Sequence, residues 1–354
     1  MPPLRLARSS ASKRRPVIDQ NLRALLDTSK RQTRLLGDVQ RYLLQPGAND
    51  GWRNDALHPS EISHNDWCPR ASYYRLAGVQ PLKEAPATHW QMRMIFDEGT
   101  EIHRKWQHRI WDIGRLGGTF YCQSCHFAWG AVAPSVCANC GATREFLLYH
   151  EVPLLDHKLG LVGHADGLDG EDVIEIKSIG LNSLRFEAPD LIKNHTHKFN
   201  INGKSRTFLD YDGIWDSIRI PFATHIRQGD FYCYMGGYKT VIFIYECKWN
   251  QRVKELVVKH RVERIESRLE QCRQIRWALD GRRIPDCPFD GCTDCQRYEE
   301  PDAQPTARRL VLRSPHTTEA TPGPARNGSQ ATGRRLLRPG AQGAGGAGLR
   351  ATPA

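Results

Sequence analysis

Cys122-x2-Cys125 and Cys137-x2-Cys140 form two knuckles separated by eleven residues. Each knuckle can fold back so that both sulfurs face one ion, and four thiolates close a tetrahedral site with no open position. The spacing predicts a zinc ribbon holding Zn2+ in a structural role, and Gly141 suits the tight turn of the second knuckle. A second set, Cys287-x4-Cys292-x2-Cys295, supplies three sulfurs and needs a fourth, for which Cys68 in Trp67-Cys68-Pro69-Arg70 is the best candidate. Four irregularly spaced thiolates suit a [4Fe–4S] cluster. The same ligands would serve a second zinc ion, and the spacing leaves both open. Cys233, Cys247 and Cys272 lie in apolar helix or strand patterns and read as core residues.

A third group of residues suits acid chemistry. Val173 to Ser178 reads as a strand in which Glu175 and Lys177, two apart, share one face while Ile174 and Ile176 share the other. The segment from Leu161 to Asp166 reads as a shorter strand, and the turn-rich Gly167-Leu168-Asp169-Gly170 predicts that the two pair as a hairpin. Asp166 and Glu175 would then converge on one Mg2+ or Mn2+, ions held by a few carboxylates together with a substrate phosphate. An acid-x-Lys triplet is weak by itself. Asp156-His157-Lys158 and Glu246-Cys247-Lys248 match it too, and only the Asp166 hairpin sets Glu175 and Lys177 apart.

These residues need elements to position them. Apolar spacing predicts a helix over about 89–113, extended segments over 146–155, 160–167 and 172–178, and a helix over 221–237. Strands over 240–247 and 254–260 and a helix over 262–279 follow. Helices flanking a mixed sheet make an α/β class. Before this body, His58-Pro59-Ser60-Glu61 is a helix start, and 16–45 shows helical spacing that Pro46-Gly47 stops. The organisation expected is a basic tail 1–15, a helical segment 16–56, a body 57–300 with the ribbon inserted at 118–145, and a basic Pro/Gly/Ala/Arg-rich tail 301–354 of disordered composition.

Further landmarks extend the set: Gly99-x3-His103-x3-Gln107 before the hairpin, and Gln228-x3-Tyr232 after it. In this order, with Asp166, Glu175-x-Lys177 and the cysteines, the sequence resembles the RecB-like exonucleases of the PD-(D/E)XK superfamily over about 57–297. It looks most like the iron–sulfur members, among them CRISPR-associated and phage exonucleases; Arg70 and Tyr74 echo that family's first segment. The resemblance implies a restriction-endonuclease-like core and metal-dependent exonucleolytic hydrolysis of DNA. It also implies Mg2+ or Mn2+ on His103, Asp166, Glu175 and the Ile176 carbonyl, with Lys177 acting on the attacking water and the phosphate. Gln228 and Tyr232 would position the DNA backbone or the catalytic groups, and Cys68, Cys287, Cys292 and Cys295 would hold the cluster. A phage or bacterial cytoplasmic setting follows from the same likeness. The ribbon, the long segment 181–220 and the basic C-terminal tail depart from the pattern.

The formal net charge of +11 points to a polyanionic partner, but its location qualifies this. Residues 1–15 carry five cations and no acid, and 301–354 carry eight arginines against Asp302 and Glu319, so 16–300 is formally neutral. Within the body, Lys193, His195, His197, Lys198, Lys204 and Arg206 alternate with Phe199 and Phe208, a mixture that suits single-stranded DNA and equally an ordinary solvated loop. No apolar run is long enough to span a membrane, and the basic N-terminus lacks the apolar stretch of a signal peptide. Eleven cysteines without such a signal favour metals over disulfides. The alternative function is a non-catalytic DNA-binding or scaffold protein carrying zinc or iron–sulfur sites.

Overall fold

The computed structural model describes residues 35–44, 55–82, 89–201, 203–289 and 292–298. Both expected tails, and most of the helical segment 16–56, lie outside the described residues. Of that segment, helix α1 (Leu36–Leu43) is seen, and it buries none of its residues.

The body begins with α2 (Pro59–Ile62) and α3 (Pro69–Leu76). Each has proline in its first turn, where a missing N–H costs no hydrogen bond. Then come the long α4 (Trp90–Asp112) and strands β1 (Gly117–Cys122), β2 (Ala128–Val132), β3 (Leu147–His150), β4 (Val152–Asp156), β5 (Leu161–Ala165), β6 (Gly167–Asp169) and β7 (Asp172–Ile179). After β7 follow α5 (Leu181–Glu187), α6 (Pro189–Asn194), β8 (Thr196–Ile201), β9 (Lys204–Leu209), α7 (Tyr211–Ser217) and α8 (Ala223–Gly236). The described body closes with β10 (Thr240–Cys247), β11 (Val253–Lys259) and α9 (Glu266–Leu279).

The central sheet runs β11-β10-β7-β6-β1-β2, with β3 on β1's second edge. Among the described strands of this sheet, β7 and β10 alone pair in parallel; their connection passes through the segment 180–239. The expected α/β class with a mixed sheet therefore holds. The ribbon strands continue the core sheet, since β1 bonds to β6 at Gly117↔Leu168.

Alternation along β7 decides the layers. Val173 and Ile179 pack with Trp215, Phe243 and Tyr245 on the α8 side, while Ile174 and Ile176 pack with Ile102, Leu116 and Phe120 on the α4 side. Each such side chain buried fully contributes about 1.5–3 kcal/mol, and slipping the strand by one residue would swap the two sets between layers and drive Glu175 and Lys177 into the α4-side core. Helix α8 packs on the Val173 and Ile179 face of the sheet. A Cβ at Gly229 would come within 2.9 Å of Val241 and 3.0 Å of Phe243, so glycine is what lets α8 lie this close to β10.

A third core binds the two ends of the body. Trp67 and Tyr73 around α3 pack on Leu269, Cys272 and Ile275 of α9. Cys233, Cys247 and Cys272 are buried, as their apolar settings predicted.

Candidate functional site

Two sheet changes create the site. The chain leaves the central sheet after β3, enters a separate two-stranded sheet made by β4 and β5, and returns with β6. Glu151 is the residue between β3 and β4, and Asp166 is the residue between β5 and β6. Because Val152 pairs with Ala165, residues 151 and 166 emerge side by side at the same crossing point. This corrects the expected hairpin. Leu161–Ala165 pairs with β4, and the hairpin partner of β7 is the three-residue β6, with its turn at Gly170 (φ 62°).

Pairing of β6 with β7 stops at Gly167↔Ile174. Beyond it the Asp166 carboxylate takes the place of a strand: Oδ2 accepts from the Ile176 N–H at 2.6 Å. Its Oδ1 meets His103 Nδ1 of α4 at 2.9 Å. The Asp166 carbonyl accepts from Gln107 Nε2 (3.1 Å) and from the Tyr149 hydroxyl (2.9 Å). Asp166 is thus fixed by four partners from three elements.

His103, Glu151 and Asp166 each place a donor atom within 4.8 Å of the others. Glu151 is the candidate ligand the sequence reading missed. Read as one extended segment over 146–155, it is an ordinary strand residue; only the break between β3 and β4 aims it at Asp166. Burial and the Asp166 carboxylate push the Glu151 carboxyl up to about 7. Burial opposes a charge on His103, yet the Asp166 carboxylate outweighs it and raises the imidazole.

Glu175 and Lys177 share one face, as predicted, and it is the α8 face. Lys177 Nζ lies 2.7 Å from Glu175 Oε1 and donates to Gln228 Oε1 at 2.9 Å. Gln228 Nε2 then donates to the Tyr232 hydroxyl at 2.8 Å. Tyr232 in turn sits where a Cβ at Gly163 would come within 2.8 Å of its ring. Glu175 is only 2% exposed, and its Oε2 has no hydrogen-bond partner. Burial lifts its carboxyl to about 7 against the pull of Lys177. His225, one turn before Gln228, meets the Tyr245 hydroxyl at 2.5 Å and is held neutral by burial and by Lys177.

The donor set fits a hard divalent cation: one imidazole and three carboxylates, one of which, Glu175, keeps an orphaned, buried oxygen. Of the ligands expected from the resemblance, His103 and Asp166 stand in the close triad, with Glu151 beside them. Glu175 stands behind, paired to Lys177 and with one oxygen to spare.

His103 and Glu151 open onto a cleft of about 1440 Å³. Helix α4 forms one wall, with Gly99, His103 and Gln107. Thr119 and Tyr121 of β1 with His150 of β3 form another, and the start of α5 with Trp249 forms the far side.

Both cysteine quartets assemble. Cys122, Cys125, Cys137 and Cys140 lie within 4.8 Å of one another, as do Cys68, Cys287, Cys292 and Cys295. The ribbon's two knuckles are local copies. Residue five of each donates its N–H to the carbonyl of residue one, as His126 to Cys122 at 2.8 Å and Gly141 to Cys137 at 3.0 Å. Residue one donates to residue six, as Cys122 to Phe127 at 2.9 Å and Cys137 to Ala142 at 2.8 Å. Residue five is left-handed in both (φ 59° and 74°), which the sequence announces only at Gly141. In the second quartet Cys68 caps α3 and the other three follow α9. Arg70 Nε donates to the Pro285 carbonyl at 3.0 Å and Tyr74 packs on Tyr298, so the ends of the body are tied by more than sulfur.

No protein-family model and no curated protein matches this sequence. Solved structures similar to it include an alkaline exonuclease, LHK-Exo, from Laribacter hongkongensis, with a TM-score of 0.36 and 15% identity over 69% of this chain and 93% of that one. The same enzyme in complex with dAMP scores 0.35 at 14% identity, over 69% and 93% of the two chains. SSO0001 scores 0.32 at 9% identity, over 70% of this chain and 86% of the other.

Proposed function

We propose that this protein is a metal-dependent deoxyribonuclease, an exonuclease that hydrolyses phosphodiester bonds in the processing, recombination or repair of phage or bacterial DNA. The observation that carries the reading is the convergence of His103, Glu151 and Asp166 within 4.8 Å, beside the buried Glu175–Lys177 pair, with His103 and Glu151 opening onto a large cleft. The cleft exceeds the roughly 300–1,000 Å³ of ordinary small-molecule pockets, which suits a polymer.

His103, Glu151, Asp166 and the free oxygen of Glu175 would hold Mg2+ or Mn2+, which supplies Lewis-acid polarisation of the phosphate and acidification of water. The side chains do the rest. A lysine ammonium has three N–H donors. Glu175 and Gln228 engage two of them and aim the third, which can hold the attacking water or the charge that develops on the phosphoryl oxygens. Tyr232 fixes the Gln228 amide, and Gln228 fixes Lys177. Gln107 and Tyr149 hold the Asp166 backbone so that its carboxylate cannot turn away.

In this reading 57–300 is the nuclease body. The 122/125/137/140 quartet takes Zn2+ and stiffens one cleft wall, and the 68/287/292/295 quartet takes a [4Fe–4S] cluster that staples the ends of the body. The test is incubation of anaerobically purified protein with end-labelled linear DNA, single-stranded and duplex, with Mn2+, Mg2+ or chelator. Metal-dependent release of nucleotides is expected. Intact DNA with metal-loaded, brown protein would point instead to a non-catalytic DNA-binding role.

A further inference from the structure

In the segment 181–220, expected as a long insertion and read equally as a plain solvated loop, the described residues form α5, α6, β8, β9 and α7. Its centre is a hairpin, β8–β9, closed at Gly203 (φ 72°) and paired from Thr196↔Leu209 to Ile201↔Lys204. The base is anchored. Asp210 N–H donates to the His195 carbonyl at 2.9 Å and His195 meets the Ser217 hydroxyl at 2.9 Å. Next along, Ile214 and Trp215 of α7 are buried in the main core. Residues 197–200 and 203–208 are all exposed. The hairpin is therefore a two-stranded arm that packs neither face on the body.

Such an arm gains little from burial, since an isolated hairpin is marginal in water. Its side chains are nevertheless sorted. Directly paired residues share a face, so His197–Phe208 and Phe199–Arg206 stand on one side, with Lys204. Phe208 stacks on His197 at 6.5 Å and 24°, and Phe199 and Phe208 are 44% and 52% exposed. Lys198, Lys204 and Arg206 have no ion-pair partner among the described residues, and from Leu191 to Leu209 the sequence contains no acid. Open aromatic faces flanked by unpaired cations match one chemistry: bases that stack and phosphates that pair with charge. A duplex hides its base faces, so the match is to a single strand. The arm joins the cleft through α5 and α6; Leu181, Asn182 and Ser183 of α5 line the cleft wall.

We propose that the β8–β9 arm is a single-strand binding surface, stacking bases on Phe199 and Phe208 and pairing phosphates with Lys204 and Arg206. This deepens the nuclease reading by naming the strand form of the substrate, and it rests on that reading only for the identity of the cleft.

The test is fluorescence anisotropy with a labelled oligothymidylate of about twenty nucleotides, in the full chain carrying Lys177→Ala so that binding is read without cutting. Phe199→Ala/Phe208→Ala should weaken binding at least about ten-fold and leave its salt dependence in place. Lys204→Gln/Arg206→Gln should flatten the slope of log affinity against log salt by about 1.4, two contacts at roughly 0.7 each. The arm touches no core, so thermal midpoints should hold. As a check that needs no variant at the arm, photocrosslinking with an iodouracil-containing strand should map to 197–208. Wild-type affinity in the phenylalanine pair, or no crosslink to the arm, overturns the proposal. An arm-dependent complex that wild-type protein does not cut would sink the nuclease reading and leave the arm standing.

Discussion

Glu175-Ile176-Lys177 and Glu246-Cys247-Lys248 lie on adjacent parallel strands, with Ser178 opposite Glu246. Both glutamates are buried. They do different work because they face opposite sides of the sheet. Glu246 turns to α4, where Oε1 pairs with Lys105 at 2.5 Å and Oε2 accepts from Trp106 Nε1 at 2.6 Å. Lys248 reaches the same helix, at Glu98 (3.0 Å) and the Ile95 carbonyl (3.3 Å). Every polar atom of that glutamate is satisfied, and the triplet clamps the helix that carries His103. Glu175 instead keeps one buried oxygen unpartnered. The third triplet is a turn: Asp156 Oδ1 accepts from the amides of Lys158 and Leu159. A satisfied buried acid holds structure, whereas an unsatisfied one beside other donors is a place for a cation.

The sharpest way to break this comparison is the same isosteric change at both sites. Glu175→Gln should lower DNA cutting by at least about 100-fold, the scale of removing one pre-organised charge at a reacting phosphate, with the thermal midpoint nearly kept. Glu246→Gln should do the reverse, keeping cutting within about two-fold while costing about 1 kcal/mol in urea unfolding through the lost, partly exposed Lys105 pair. Equal losses of activity in the two variants would show that the orphaned oxygen marks nothing.

Glu151 extends the contrast to a residue outside any triplet. If it is a ligand, Glu151→Ala should weaken Mn2+ binding by about 10–100-fold or more, read by calorimetry or electron paramagnetic resonance. Unchanged affinity would return Glu151 to the role of a plain strand-end acid.

What the sequence made legible follows the range of the forces involved. Periodicity marked α4, α8, β7 and β10, because each buries a regular face. The ribbon was legible because four ligands lie within 19 residues. Cys68 was named as the candidate fourth thiolate because Cys287, Cys292 and Cys295 lacked one, and it lies beside them. Glu151 was not legible, because its position depends on β3 and β4 belonging to different sheets, and no local pattern encodes that change. The Asp166 hairpin failed for the same reason. Leu161–Ala165 has a strand's pattern, but its partner is β4, not β7. The sorting of Phe199, Phe208 and Arg206 onto one face was equally hidden, since it depends on the hairpin register.

A larger structural effect is expected from truncating Glu246 than from neutralising it. Glu246→Ala leaves Lys105 and the Trp106 N–H without their acceptor, which should cost about 2 kcal/mol, less than a fully buried pair because the Lys105 side chain is 35% exposed. Thermal unfolding should shift by roughly 4–8 °C for a body of this size. Below that transition, cutting should recover most of its wild-type rate. Lasting inactivity at low temperature would instead make Glu246 part of the chemistry.

The smallest effect tests how the site is held. Tyr232→Phe keeps the ring that Gly163 accommodates and removes only the acceptor of the Gln228 amide. Gln228 would still accept from Lys177, but its rotation would no longer be fixed, so the lysine would sample more positions. Loss of one neutral hydrogen bond is worth about 1 kcal/mol, or roughly a five-fold fall in rate. The fall should appear in kcat, with KM nearly unchanged, because an aimed lysine matters most when charge develops on the phosphate. Tyr232→Leu should cut deeper, since it also opens a cavity against Pro59 and Gly163. Equal rates for Tyr232→Phe and wild type would mean that Lys177 is held by Glu175 alone, and that α8 contributes packing rather than aim.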